Sequence, residues 1–202
     1  MIAVDVLIEP DATTATKAKG VNARLRQDYP SGFPLDEHHV PHVTVVQRFV
    51  RAEDLGALTA AVRKALQLGP AFPLRLTITG YAHSVRNGVG TLIYVVERSA
   101  ELVQLESSLA AAVRPFAVSG GTADAFSRAP GEEITADTIR YVEEFVPASS
   151  GEKYFPHLTL GKARPEFLKS LEAAPFEKFS CAGEGVAIYQ VGNAGTAQRK
   201  LY

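Results

Sequence analysis

One five-residue phrase occurs twice in this chain and restricts its fold more than any other feature. Pro41-His42-Val43-Thr44-Val45 returns as Pro156-His157-Leu158-Thr159-Leu160. The histidines stand 115 positions apart, at 42 and 157, so the copies are not a tandem array of small units. Each copy reads as the start of a β-strand, because aliphatic and β-branched residues alternate with polar ones. Residues i and i+2 of a strand share a face. His42 and Thr44 therefore point one way while Val43 and Val45 point into a core, and His157 and Thr159 do the same against Leu158 and Leu160. An imidazole moves protons near neutral pH, and a hydroxyl donates to an anionic oxygen. A single His-x-Thr is ordinarily a satisfied edge histidine. A matched second copy, using two of only five histidines, argues for one site built from both.

The rest of the chain supplies elements to carry two such strands. Residues 2–8 are apolar apart from Asp5 and predict a buried strand. Asp11 or Thr13 caps a helix to about Gln27, with Ala15, Ala18, Val21 and Leu25 at helical spacing. Pro30, Gly32, Phe33, Pro34 and Pro41 mark 28–41 as a loop before the first motif strand, 42–49. A helix from Asp54 to about Leu68 ends at Gly69-Pro70. Strands at 73–80 and 89–97 flank an Asn87-Gly88 turn. Ser99 caps a helix to about Val113. Residues 119–131, rich in Gly, Ala and Ser, predict a mobile insertion or lid, and 135–145 a short helix on Ile139, Val142 and Phe145. The second motif strand spans 157–162, and Pro165 opens a helix to about Leu171. Strands at 185–191 and 196–201 close the chain around a Gly192–Gly195 turn. Helices and hairpins interleave, which predicts an α+β fold with antiparallel sheets. No linker composition interrupts it, so 1–202 reads as a single domain with an insertion or lid at 119–150.

Composition narrows the partners. The 202 residues are 46% hydrophobic, enough for a sizeable core, and 21 basic against 22 acidic residues leave a net charge of −1. No basic field exists to hold a long polyanion, which favours a small ligand or a short nucleic-acid end over a duplex. Cys181 is the one cysteine, so no intrachain disulfide forms and a reducing compartment is expected; it reads as a small buried residue. The N-terminus lacks a basic leader and stops at Pro10, and no stretch approaches a membrane span. The expectation is a cytoplasmic protein, monomeric, without a membrane or an obligate protein partner.

The paired phrases, His42-Val43-Thr44-Val45 and His157-Leu158-Thr159-Leu160, resemble the motifs of the two-histidine (2H) phosphoesterase superfamily, which includes 2′-5′ RNA ligase-like proteins and cyclic phosphodiesterases. Val186–Thr196 resembles that family's last hairpin, and the first strand and helix match in style. The interval between the motifs is longer than the family's, on account of 119–150. The resemblance implies a bilobal, duplicated α+β module: two antiparallel sheets line a central cleft, with helices on the outer faces. It implies that both histidines face one phosphate, with no cofactor or metal. The implied activity is the opening of a 2′,3′-cyclic or related cyclic phosphodiester of a nucleotide or RNA end, with reversible 2′-5′ RNA ligation as a related activity. His157 is then base for water and His42 acid for the leaving oxygen, with Thr44 and Thr159 on the non-bridging oxygens.

Other candidates are weighed on spacing. By period 2, Arg48 shares the face of His42 and Thr44 and is a phosphate contact against the alternative of a solvated strand end. Tyr154 and Phe155 are candidates to stack on a base, or pack the loop. Tyr189, beside Gln190 in the last long strand, is a candidate cleft wall. Arg199 and Lys200 add charge near the C-terminus. A metal site from His38, His39, His42 and His157 is disfavoured, since Pro41 breaks the helix that i, i+4 ligands need and no His-Glu-x-x-His phrase exists. A non-catalytic nucleotide or RNA-end binding module of the same fold is the other alternative.

Overall fold

The computed structural model describes residues 1–128 and 131–202; Ala129 and Pro130, in the expected lid, lie outside the described residues. Its elements are β1 (Ile2–Pro10), α1 (Ala12–Asp28), β2 (Val43–Val50), α2 (Leu55–Leu68), β3 (Leu74–Arg86), β4 (Val89–Val96), α3 (Ala100–Val113), β5 (Ala117–Val118), α4 (Ala136–Ser149), β6 (His157–Ala163), α5 (Pro165–Ala173), β7 (Phe179–Val191) and β8 (Ala197–Lys200). Local chemistry sets the boundaries. Asp11 accepts from the Thr14 amide to start α1, Ser99 from Leu102 to start α3, and Thr135 from Thr138 to start α4. Asn87 and Gly88 both take positive φ, 53° and 77°, as a tight turn between β3 and β4 requires.

All the strand pairings are antiparallel, and they form two halves that share one strand. In the first half β2, β1, the C-terminal part of β7 and β8 lie in order, with β5 beside β2. In the second, β6, β4, β3 and the N-terminal part of β7 lie in order. β7 crosses the boundary: Phe179–Gly183 pair with β3, and Val186–Gln190 with β1. On the opposite side the halves meet at one register pair, Val43 with Leu158. The architecture is thus the expected antiparallel α+β one, with the two expected sheets joined as halves of a single eight-stranded sheet.

The main core lies between one face of the strands and helices α1, α2, α3 and α5. It takes Val4, Val6 and Ile8 from β1, Leu25 from α1, Leu58 from α2, Leu105 from α3 and Leu168 from α5, all buried. α4 packs elsewhere. Its Val142 joins Phe126, Ala3, Phe49 and Val191 in a separate cluster, on the sheet face that Asp5 and Gln47 share with Ala3 and Phe49 by strand alternation. The described part of 119–150 is anchored to the strands: Gln190 donates to the Ala125 carbonyl (2.9 Å), and the Ser127 amide to Val191 (2.9 Å).

Each motif strand carries a β-bulge at the same place. On β2, Thr44 pairs with Leu7 and Val46 with Val6, which leaves Val45 extra. On β6, Thr159 pairs with Ile93 and Gly161 with Leu92, which leaves Leu160 extra. Two successive residues are buried at each bulge, and the alternation downstream moves by one. Asn22 of α1 braces the second bulge. Its side-chain amide donates to the Leu160 (2.8 Å) and Phe33 (3.1 Å) carbonyls and accepts from the Leu35 amide (3.0 Å).

Candidate active site

The single pair between the halves places the site. Val43 lies opposite Leu158, and in an antiparallel ladder each step along one strand is a step back along the other. One residue either way sets His42 opposite Thr159 and Thr44 opposite His157. Val43 and Leu158 are buried in the core, so all four polar side chains occupy the other face, and all four are half-buried. The two histidines are diagonal neighbours, a relation that separates backbones by about 7–8 Å. His42 and Thr159 line one pocket with Phe33, His39 and Thr196.

The two imidazoles are held alike. His42 Nδ1 lies 2.6 Å from the carbonyl of Val40, and His157 Nδ1 lies 2.8 Å from that of Phe155, in each case two residues upstream. A carbonyl only accepts, so Nδ1 carries the hydrogen in both rings and Nε2 is the nitrogen that exchanges a proton. Burial holds His157 below the usual imidazole range, and the neighbouring His42 adds to this; the Phe155 carbonyl opposes it. His157 is therefore predisposed to be neutral, a proton acceptor.

Beneath His42 lies a carboxylate. Asp5 of β1 is fully buried. Its Oδ2 accepts from Gln47 Nε2 (2.7 Å) and Thr44 Oγ1 (3.0 Å) and lies 3.5 Å from His42 Nε2, too long for a good hydrogen bond. Among the described residues its Oδ1 has no partner, and neither has Gln47 Oε1. Burial raises the Asp5 carboxyl above the usual range, against the lowering effects of His42, Gln47 and Thr44. It also helps push Tyr141 up to about 12, although burial is the larger cause there.

The other sequence candidates fall outside this cluster. The β2 bulge puts Gln47, not Arg48, in phase with His42 and Thr44. Arg48 instead donates to the Glu143 carbonyl of α4 (3.3 Å) and lines a second pocket, with Phe49 and Ser119. Tyr154 is buried, and its hydroxyl donates to the Thr44 carbonyl (3.3 Å), so it supports the first motif from below. Phe155 is exposed and stacks on His157, with ring centroids 6.0 Å apart. The Tyr189 hydroxyl donates to Glu9 (2.7 Å), which also pairs with Lys200 (2.8 Å). His39 stacks on Phe33 beside an Asp36 contact, and His38 is exposed near Glu37. Among the described residues no three metal-ligating side chains gather. The turn at the rim is tied to α4, because Thr138 Oγ1 donates to Asn193 (2.8 Å) and accepts from the Ala194 amide (3.0 Å). Spacing alone missed Asp5, Gln47 and Asn22. For Asp5 the available signal was one carboxylate inside an apolar strand.

Among the described residues no helix is long and apolar enough to cross a membrane. No curated protein matches the chain significantly. Among solved structures, the Thermus thermophilus protein TT0787 aligns over 100% of this chain and 96% of its own, with a TM-score of 0.62 and 14% identity, a likeness of fold. Escherichia coli LigT complexed with 3′-AMP aligns over 100% and 95%, with a TM-score of 0.49 and 16% identity. The sequence model of the 2′-5′ RNA ligase superfamily matches residues 14–190, both motif strands and nearly everything between β1 and β8 included. With its two His-x-Thr strands joined at Val43 and Leu158, the chain belongs to the 2′-5′ RNA ligase superfamily, whose members are phosphoesterases and ligases.

Proposed function

We propose that this protein opens a cyclic phosphodiester, most simply a nucleoside 2′,3′-cyclic phosphate or an RNA end bearing one, by acid/base catalysis between its two histidines. The observation that carries the reading is the Val43–Leu158 register, by which each of two paired strands brings one imidazole and one hydroxyl to the same face. His157 Nε2 takes the proton of an attacking water. His42 Nε2 gives a proton to the departing ribose oxygen on the far side of phosphorus. Water's oxygen is bonded to phosphorus as the ring P–O bond breaks; the same sequence with a 5′-hydroxyl in place of water is a ligation, and its reverse is cleavage of the linkage so formed. The Thr44 and Thr159 hydroxyls donate to the non-bridging oxygens, where charge grows. His157, held neutral by burial, suits the base. His42, the ring diagonal to the base, takes the acid's part. The four nucleoside 2′,3′-cyclic phosphates, assayed by product chromatography against wild type, His42→Ala and His157→Ala, test this. Turnover by wild type and its loss in both variants is the expected result. Binding without turnover would make the chain a nucleotide-binding module, and full activity in either variant would refute the assignment.

A further inference from the structure

Thr44 has one hydroxyl hydrogen and two calls upon it. The proposed chemistry needs it on a phosphate oxygen, whereas Asp5 Oδ2 stands 3.0 Å away and, when ionised, can only accept. An anion beside His42 would also bring a second negative charge next to a fully buried carboxylate that, among the described residues, has no cation closer than that ring. One change removes both conflicts. A protonated Asp5 donates to Thr44 Oγ1, so the Thr44 hydrogen turns outward, while Oδ2 still accepts from Gln47. We infer that an anion entering between the two motifs is taken up together with one proton on Asp5, which reverses the Asp5–Thr44 hydrogen bond and hands the Thr44 hydrogen to the anion. Asp5 is thus a positioning residue acting through Thr44. The inference rests on the phosphate-binding role proposed for Thr44.

Three further features agree with it. Among the described residues Asp5 Oδ1 is buried and unpartnered, a defect that is costly for an ionised carboxylate and that a neutral one largely avoids. Burial already raises this carboxyl. Binding and protonation at neighbouring sites are reciprocal, so an anion at Thr44 raises it further. The titratable groups that face the pair are His42 and His157, Tyr154 ahead of β6, Tyr141 on α4 and Tyr189, the register partner of Asp5 on β7; Glu9 and Lys200 lie beyond Tyr189.

Sulfate is the probe, because it stays dianionic throughout the useful range. Calorimetric titration in buffers of different ionisation enthalpy counts protons taken up per sulfate, for wild type and for Asp5→Asn. Both histidines also exchange protons and are present in both proteins, so the difference reports Asp5. The variant is expected to take up fewer protons, by a difference that approaches about one at pH values between the sulfate-free and sulfate-saturated midpoints of wild-type Asp5, and to bind sulfate more tightly at pH 8. Equal uptake overturns the inference. Should the variant not fold, ¹³C-carboxyl NMR of wild-type Asp5 decides. Its titration midpoint must rise when sulfate saturates the site; an unmoved midpoint, or no sulfate binding at all, overturns the inference. Coupled uptake in a protein that turns over no cyclic phosphodiester would sink the proposed reaction and leave the coupling standing. Turnover with equal uptake would do the reverse.

Discussion

Asn22 ties the helix side of the molecule to the second motif, and replacing it with alanine is the sharpest test of how the site is held. The side chain is 4% exposed and makes three hydrogen bonds to backbone groups of two other segments, at Leu160, Phe33 and Leu35. A net loss of about 1 kcal/mol for each gives about 3 kcal/mol of destabilisation for Asn22→Ala. With a urea m-value of about 3 kcal/mol/M, the unfolding midpoint falls by about 1 M. Asn22→Asp sharpens the reasoning. It keeps an acceptor for the Leu35 amide but turns a carboxylate oxygen toward two carbonyl oxygens. Its folded-state pKa is then raised above the unfolded value of about 3.9. A group shifted that way loses stability as pH rises from the unfolded value through the folded one, so the penalty is present at pH 7 and relieved near pH 4. Urea titrations at both pH values, followed by far-UV circular dichroism, make the comparison. A midpoint shift below about 0.3 M for Asn22→Ala at unchanged m, or an Asn22→Asp penalty that does not depend on pH, would refute the bracing role.

Three other outcomes follow from the same geometry. His42→Ala and His157→Ala should each lower the rate on a cyclic phosphodiester by ~10²–10⁴-fold, with a thermal melt close to wild type. Because burial and His42 hold His157 below the usual imidazole range, the base is lost only when pH falls through that lowered value; the acid limb of kcat/KM should therefore lie below about pH 6.5, and a limb at or above it would remove His157 from that role. Gly161→Ala sets a β-carbon 2.6 Å from Asn22 Nδ2 on a backbone with φ of 138°, and should cost about 1–3 kcal/mol in chemical denaturation, while Gly185→Ala, with open space around it, should stay within about 0.5 kcal/mol of wild type.

Where the sequence was legible and where it was not has a physical pattern. The elements with strong punctuation appear near their expected positions: α1 behind Asp11, α3 behind Ser99, and the hairpin at Asn87-Gly88. The N-terminal half of β7 was not legible, because Ser180, Ala182, Gly183, Glu184 and Gly185 give neither alternation nor bulk; pairing with β3 and β1 makes it a strand. Arg48 was placed by counting in twos, and a bulge invalidates counting in twos. The adjacent apolar residues Val45 and Val46 are the trace such a bulge leaves in sequence. The roles of Tyr154 and Tyr189 depend on partners 110 and 180 positions away, which no local pattern encodes. The shared facing of the four motif residues was legible because strand geometry fixes it, and the second copy marked them as a set.

β7 bonds along its length to both halves of the sheet. A hinge between the halves would have to break or shear that ladder, so this scaffold does not open like a jaw. The separation of the two imidazoles is thereby governed by a stretch of chain that supplies neither of them. What can vary is the rim, where Phe33, Val40, Ala194 and Gly195 line a pocket with His42. Rim composition is then free to change in evolution without disturbing the spacing of the two imidazoles.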